Sequence, residues 1–110
     1  MYDLKLDAIS LGWSPLDFAG VSMKVLKNHR SGGMTVMTKM EAGAFIPSHS
    51  HTNEDENIYV LEGDFIEDAA TYGPGSFFSG AAGTVHGPHR SKTGCVLLTT
   101  FSAALDFVIA

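Results

Sequence analysis

Three side chains able to hold a divalent cation fall within the short run HSHTNEDE: His49, His51 and Glu56. In an extended chain alternate residues share a face, so His49 and His51 project together about 7 Å apart. A short turn over 52–55 can reverse the chain and bring Glu56 to the start of the next strand beside them. Phe45 and Pro47 share the parity of the histidines, and Ile58 and Val60 share that of Glu56, so both faces run into apolar surface. An ionised carboxylate on such a face is costly unless it is paired or bound to a cation. Neutral imidazoles and a carboxylate suit a divalent transition metal, which would satisfy all three groups together. Glu54 and Asp55 lie in the turn itself and are read as solvated.

A fourth donor lies downstream in GTVHGPHR. His86 precedes Gly87-Pro88 and should end a short strand at a rim, which makes it the favoured ligand. His89 would face the other way on a continuing strand, although Gly87-Pro88 can redirect it; it is assigned to the pocket or the surroundings of the ligands. Arg90 is either a surface cation or a holder of an anionic substrate group. Inward apolar candidates for the pocket are Met40, Phe45, Ile58, Phe78 and Leu97, each equally a plain core residue.

The elements that must position these groups are short and extended. Twelve glycines punctuate the chain, and no stretch sustains a helical period for three turns. Extended segments are expected at 21–26, 34–40, 44–51, 57–61, 64–67, 76–78, 96–101 and 105–109, with turn signals between them. This pattern indicates an all-β antiparallel sandwich or barrel. A single helical turn is conceivable at 14–19, where Ser14-Pro15 could begin it. Met34, Met37 and Met40 recur every three residues, but on a strand Met37 faces away from the other two, so core filling is the reading. Cys95, the only cysteine, is read as a small buried residue, and His29 and Arg30 as a solvated hairpin end.

At 110 residues the expectation is one domain, 1–110, with segment 1–20, which includes Trp13, packing on the barrel or on a partner. The net charge of −5 disfavours a nucleic-acid partner, and no run approaches the ~18 apolar residues of a membrane span. The N-terminus lacks a signal-peptide pattern, and the lone cysteine fits a reducing compartment, so a cytoplasmic location is expected. Glycine-rich edges of small β-domains often pair, which gives a homodimer as the expectation.

Gly43, His49, His51, Glu56 and Gly63 fit every fixed position of the first cupin motif, G-x5-H-x-H-x4-E-x6-G. Gly75, Gly83 and His86 fit the second, G-x5-P-x-G-x2-H-x3-N, in which Ala81 replaces the proline and Arg90 the asparagine. The chain therefore resembles the cupin superfamily over Gly43 to Arg90. Within it, the sequence looks most like short cupins of the acetylacetone-cleaving type. It is also similar to the zinc-binding cupin half of certain anti-sigma factors, through HTNEDENIYVLEG and HGPHRSKTGCVLL. Those factors carry a separate helical sigma-binding domain, for which the segment before Val21 is expected to be too short.

The resemblance implies a cupin-type antiparallel β-barrel, that is, a double-stranded β-helix or jelly roll. It also implies one divalent metal held by His49, His51, Glu56 and His86. Iron(II) is favoured, with zinc, nickel, manganese or cobalt also compatible with mixed nitrogen and oxygen donors. Four protein ligands around an octahedral ion leave two positions for a small-molecule substrate and dioxygen, whereas tetrahedral zinc with the same four would be closed. The favoured reading is a metal-dependent dioxygenase that cleaves a C–C bond in a small diketone, hydroxyketone or phenolic compound. The alternatives are a non-catalytic metal- or small-molecule-binding module of the zinc-sensor kind, and a metal-assisted isomerase or lyase.

Overall fold

A computed structural model describes residues 1–110. The chain folds almost entirely into antiparallel strands: β1 (Ser14–Pro15), β2 (Val21–Asn28), β3 (Met34–Met40), β4 (Phe45–Ile46), β5 (His49–Ser50) and β6 (Glu56–Gly63) in its first half. The second half adds β7 (Phe65–Glu67), β8 (Ala70–Tyr72), β9 (Phe77–Gly80), β10 (His89–Arg90), β11 (Cys95–Phe101) and β12 (Val108–Ile109). The largest sheet has the order β1-β2-β3-β11-β6-β9, a second has β4-β10-β7-β8, and β12 pairs with β5. Each of these orders has two free ends. The sheets therefore pack as open layers, and the closed barrel expected from sequence is corrected to an open, jelly-roll-like stack.

Period-two burial explains why the central strands form where they do. In β11 the residues Cys95, Leu97, Thr99 and Phe101 are buried while those between them are half-buried. In β6 the buried positions are Glu56, Ile58 and Val60. Leu61 is left without a partner where the β6–β11 register shifts, and Leu97 pairs with Val60 beyond it. The main core joins Val21, Met40, Ile58, Val60, Cys95 and Leu97 from the large sheet to Ile46 and Phe65 from the second. Hydrophobic burial between two sheet faces is thus the dominant cohesive term.

The helical turn expected at 14–19 does not form. Ser14 and Pro15 pair with Met23 and Ser22 as β1, because the residue before proline is pushed to extended backbone. A short 3-10 turn lies earlier, at Ala8–Ser10, with Asp7 accepting from the Ile9 N–H. This N-terminal segment lies on the chain's own large sheet. The Lys24 ammonium donates to the Ala8 carbonyl at 2.8 Å, and Lys24 and Lys39 both face the Trp13 ring. No helix is long and apolar enough to cross a membrane.

The turn after β6 is held by Asp64. Its carboxylate accepts from the backbone N–H groups of Lys92 and Thr93 and from the Thr93 hydroxyl. The Thr93 hydroxyl, opposed by partial burial and helped by the two backbone donors, holds its pKa down to about 2. A depressed carboxylate stabilises the fold fully above its unfolded pKa and loses that contribution as pH falls through the folded value. Asp64→Asn should therefore cost about 1 kcal/mol at pH 5, discounted for partial solvation. That deficit should shrink toward zero near pH 2, as read from urea midpoints of both proteins.

Candidate metal centre

Local backbone pairing assembles the cluster. His49 in β5 and His86 form an isolated antiparallel bridge, exchanging two N–H···O bonds of 2.9 Å, so their side chains leave from the same side. Glu56 opens β6 between Phe101 of β11 and Gly80 of β9. The result is that one ligand atom from each of His49, His51, Glu56 and His86 lies within 4.8 Å of every other. The Nε2 atoms of His49 and His86 are 3.1 Å apart. Glu56 Oε1 lies 3.1 Å from His86 Nε2 and 3.5 Å from His51 Nε2.

Backbone carbonyls orient the two inner imidazoles. His49 Nδ1 donates to Pro47 O at 2.7 Å and His51 Nδ1 to Asp106 O at 2.6 Å. With Nδ1 protonated, each neutral ring turns an Nε2 lone pair toward the centre, the arrangement that second-shell carbonyls give metal-bound histidines. His51 is only 2% exposed and its Nε2 has no hydrogen-bond partner. A cation is what would satisfy that orphaned atom, so the donor set fits a divalent ion.

The charges of His49 and Glu56 agree with this fit, whereas His51 favours a proton that a bound ion would displace. Burial, reinforced by the neighbouring histidines, lowers the pKa of His49 to about 4, so it is neutral at pH 7. Burial acts against the Glu56 carboxylate, but the ring nitrogens of His51 and His86, 3.5 and 3.1 Å away, outweigh it and hold the pKa at about 2. For His51 burial again opposes the charged form, yet Glu56 and the Asp106 carbonyl raise its pKa above the ordinary value.

Glu54 corrects the sequence reading. It is 1% exposed, not solvated, and accepts from the Asp106 N–H at 2.5 Å and the Asn53 N–H at 3.1 Å. Asp106 in turn accepts from the Thr52 N–H and hydroxyl, so the turn and the chain near the C-terminus clamp His51 from behind. Asp55 is exposed as expected, although it accepts from the Ala82 N–H at 2.9 Å.

A cavity of about 180 Å³ opens beside Glu56 and His86 and is walled by Ile58, Phe78, Glu67 and His89. A smaller apolar chamber of about 40 Å³, lined by Leu97 and Phe107 among others, lies on the side of His49. Four expected pocket residues, Ile58, Phe78, Leu97 and His89, thus reach one of the two spaces. Three do not. Phe45 is 44% exposed, because the break between β4 and β5 shifts the parity of the chain and puts Ile46 inward instead. Met40 pairs with Cys95 at the opposite end of the large sheet from Glu56. Arg90 is exposed and stacks over the Phe45 ring, its charge 5.2 Å from the ring centre.

Sequence reasoning missed Glu67 and Asp106. Glu67 shares the parity of buried Phe65, accepts from the Gly87 N–H at 2.8 Å and meets His89 Nδ1 at 2.5 Å. That parity was a usable signal for Glu67. Asp106 carries none, since its partners are more than fifty residues away in the chain.

The profile of one family, described as the ChrR cupin-like domain, matches residues 3–104. The chain belongs to that family. Among solved structures, this cupin is similar to KdgF from a Halomonas species, at 24% identity and a TM-score of 0.74, covering 84% of this chain and 86% of that one. It is also similar to an acetylacetone dioxygenase from Acinetobacter johnsonii, at 18% identity and a TM-score of 0.71, covering 92% and 73%. The anti-sigma factor ChrR from Rhodobacter sphaeroides, solved with SigE, matches at 21% identity and a TM-score of 0.69 over 86% of this cupin and 50% of that chain. At these identities the likeness is one of fold. No curated protein matches the sequence.

In this cupin the Glu54 clamp should matter through His51. Glu54→Ala leaves two backbone N–H groups without their acceptor, which should cost about 2–4 kcal/mol in urea denaturation. It should also weaken zinc binding by about 10–100-fold, as measured by competition with a chromophoric chelator.

Proposed function

We propose that His49, His51, Glu56 and His86 bind one divalent metal, with iron(II) favoured, and that the protein is a dioxygenase acting on a small diketone, hydroxyketone or phenolic compound. The observation that carries this reading is the convergence of four ligand atoms within 4.8 Å beside an open cavity. A divalent ion there would supply Lewis acidity toward oxygen donors and, as iron(II), reactivity with dioxygen. The chain's own part is to orient and to exclude water. Pro47 O and Asp106 O fix the imidazoles, while Ile58 and Phe78 give one cavity wall an apolar surface that holds a small organic molecule against the ligands. The acetylacetone dioxygenase among the structural relatives supports the reading by analogy of fold alone.

An oxygen electrode tests it. Protein loaded anaerobically with iron(II) should consume dioxygen with at least one member of a diketone and phenol panel, and His49→Ala should not. No uptake above that variant for any member would sink the dioxygenase reading.

A second reading, a zinc-binding module without catalysis, is favoured by the match to the ChrR cupin-like family. Stoichiometric zinc that survives purification and resists exchange, with a large fall in melting temperature on chelation, would select it. We also propose a homodimer, which light scattering on the purified protein checks directly.

A further inference from the structure

The cavity beside the cluster has a charge pattern that selects among chelating ligands. Besides Glu56 and His86, its lining includes Ile58, Phe78, Glu67 and His89, with Ser79 and Thr84 among the rest. None of the protein's seven lysines and arginines reaches it. Arg90, the nearest in sequence, lies on Phe45 outside. Any negative charge on a bound molecule must therefore be met by the metal, by His89 or by neutral hydroxyls.

Counting charge sets the limit. A divalent ion brings two positive charges and Glu56 takes back one. Glu67 brings a second carboxylate to the lining, which its neighbour His89 can at most offset. The metal-loaded site thus carries at most one net positive charge, enough for one anionic oxygen. A second carboxylate would stand unpaired beside Glu67 in a partly desolvated space, which is costly.

Size narrows the class further. At about 180 Å³ the space lies below the ~300–1,000 Å³ of pockets for drug-sized molecules, so it suits a compact ligand. We propose that the cavity takes neutral or singly charged oxygen chelators with apolar ends, of the enolate or phenolate kind, and disfavours dicarboxylates, with Glu67 as the residue that sets this preference. The apolar ends would lie on Ile58 and Phe78, cross-strand neighbours on β6 and β9. This inference rests on the metal-centre reading above and not on dioxygen chemistry.

Acetylacetone and malonate are matched probes. Both close a chelate ring through two oxygens, but malonate puts an anionic oxygen where acetylacetone has a methyl group. Their dissociation constants for the cobalt(II)-loaded protein would be read from its visible absorption at pH 7.5. Glu67→Gln keeps the acceptor for the Gly87 N–H and removes the charge. It should tighten malonate binding about tenfold and change acetylacetone binding less than threefold. Thr84→Lys, at an exposed position on the lining outside β9, adds a cation without touching the pair and should favour malonate in the same direction. Arg90→Ala should change neither constant.

Malonate binding unchanged in both Glu67→Gln and Thr84→Lys would overturn the assignment, as would a loss of malonate binding in Arg90→Ala. Failure of the protein to take up cobalt at all would instead overturn the metal-centre reading, and this inference with it. Absence of oxygen uptake with iron(II) would leave the charge preference standing.

Discussion

His51→Ala should abolish stoichiometric metal retention, raising the dissociation constant for zinc or cobalt by at least about 100-fold. Of the four clustered groups, His51 is held most completely by the rest of the fold. Its Nδ1 is fixed by Asp106 O, its Nε2 is buried without a partner, and Glu54 closes the turn behind it. Such a ring is already in its bound orientation, so the ion gains the full donor strength without an ordering cost. Removing it also takes away one of the two histidines that offset burial of the Glu56 carboxylate, whose pKa should then rise. Equilibrium dialysis with element analysis reads the first effect, and the carboxyl carbon shift of Glu56 in a pH titration reads the second. Wild-type metal affinity in the variant would remove His51 from the ligand set.

Gly63→Ala should be the most damaging single methyl addition in the motif, lowering stability by about 3 kcal/mol or more. Gly63 has φ of +80°, and a Cβ there would sit 1.9 Å from Gly94 O and 2.8 Å from Cys95 Cα. Both obstacles are backbone at the entry to β11, Gly94 just before it and Cys95 at its start, so relief requires β6 and β11 to separate at that end. A loss of this size corresponds to a melting temperature lower by roughly 10–20 °C in a domain of this length. Metal stoichiometry of the folded fraction should be unchanged, because Glu56 lies seven residues away at the other end of β6, about 23 Å along the strand. Gly43 offers the contrast. It also has a positive φ, of +84°, but nothing lies within 4 Å of its Cβ position, so alanine there should cost only about 1 kcal/mol. Thermal melts of the two variants, run side by side, separate backbone collision from backbone conformation.

Several features of the fold are legible in the sequence alone. Parity along ENIYVLEG placed Glu56, Ile58 and Val60 on one face, and all three are buried. Residues 34–40 were expected as a strand with Met37 turned away from Met40, and that is their arrangement. These readings hold because strand periodicity is a property of neighbouring residues, and burial of one face propagates it. Phe45 shows where the same argument stops. Parity counted back from His49 turns it inward, but the chain bends at Pro47 and Ser48 between two separate strands, and counting does not survive an irregular residue.

Glu54 marks a different limit. A run of acidic residues at 54–56 gives no sign that the first is buried, because its acceptor role is defined by Asp106, fifty-two residues on. His89 was undecided for a related reason: its direction follows from the pairing of β10 with both β4 and β7, not from its own neighbours. The free ends of the sheets are likewise a matter of which strands meet.

By itself, then, the sequence determined the strand-rich architecture, the donor types and spacing around HSHTNEDE, and the inward direction of Glu56. Each of these follows from chemistry within a few residues. Only the tertiary structure decided that His86 bridges to His49, that Asp106 and Glu54 fix His51, and that Glu67 rather than Arg90 faces the cavity. Those relations depend on contacts between distant segments, and such contacts exist only after two sheets have buried their apolar faces against each other.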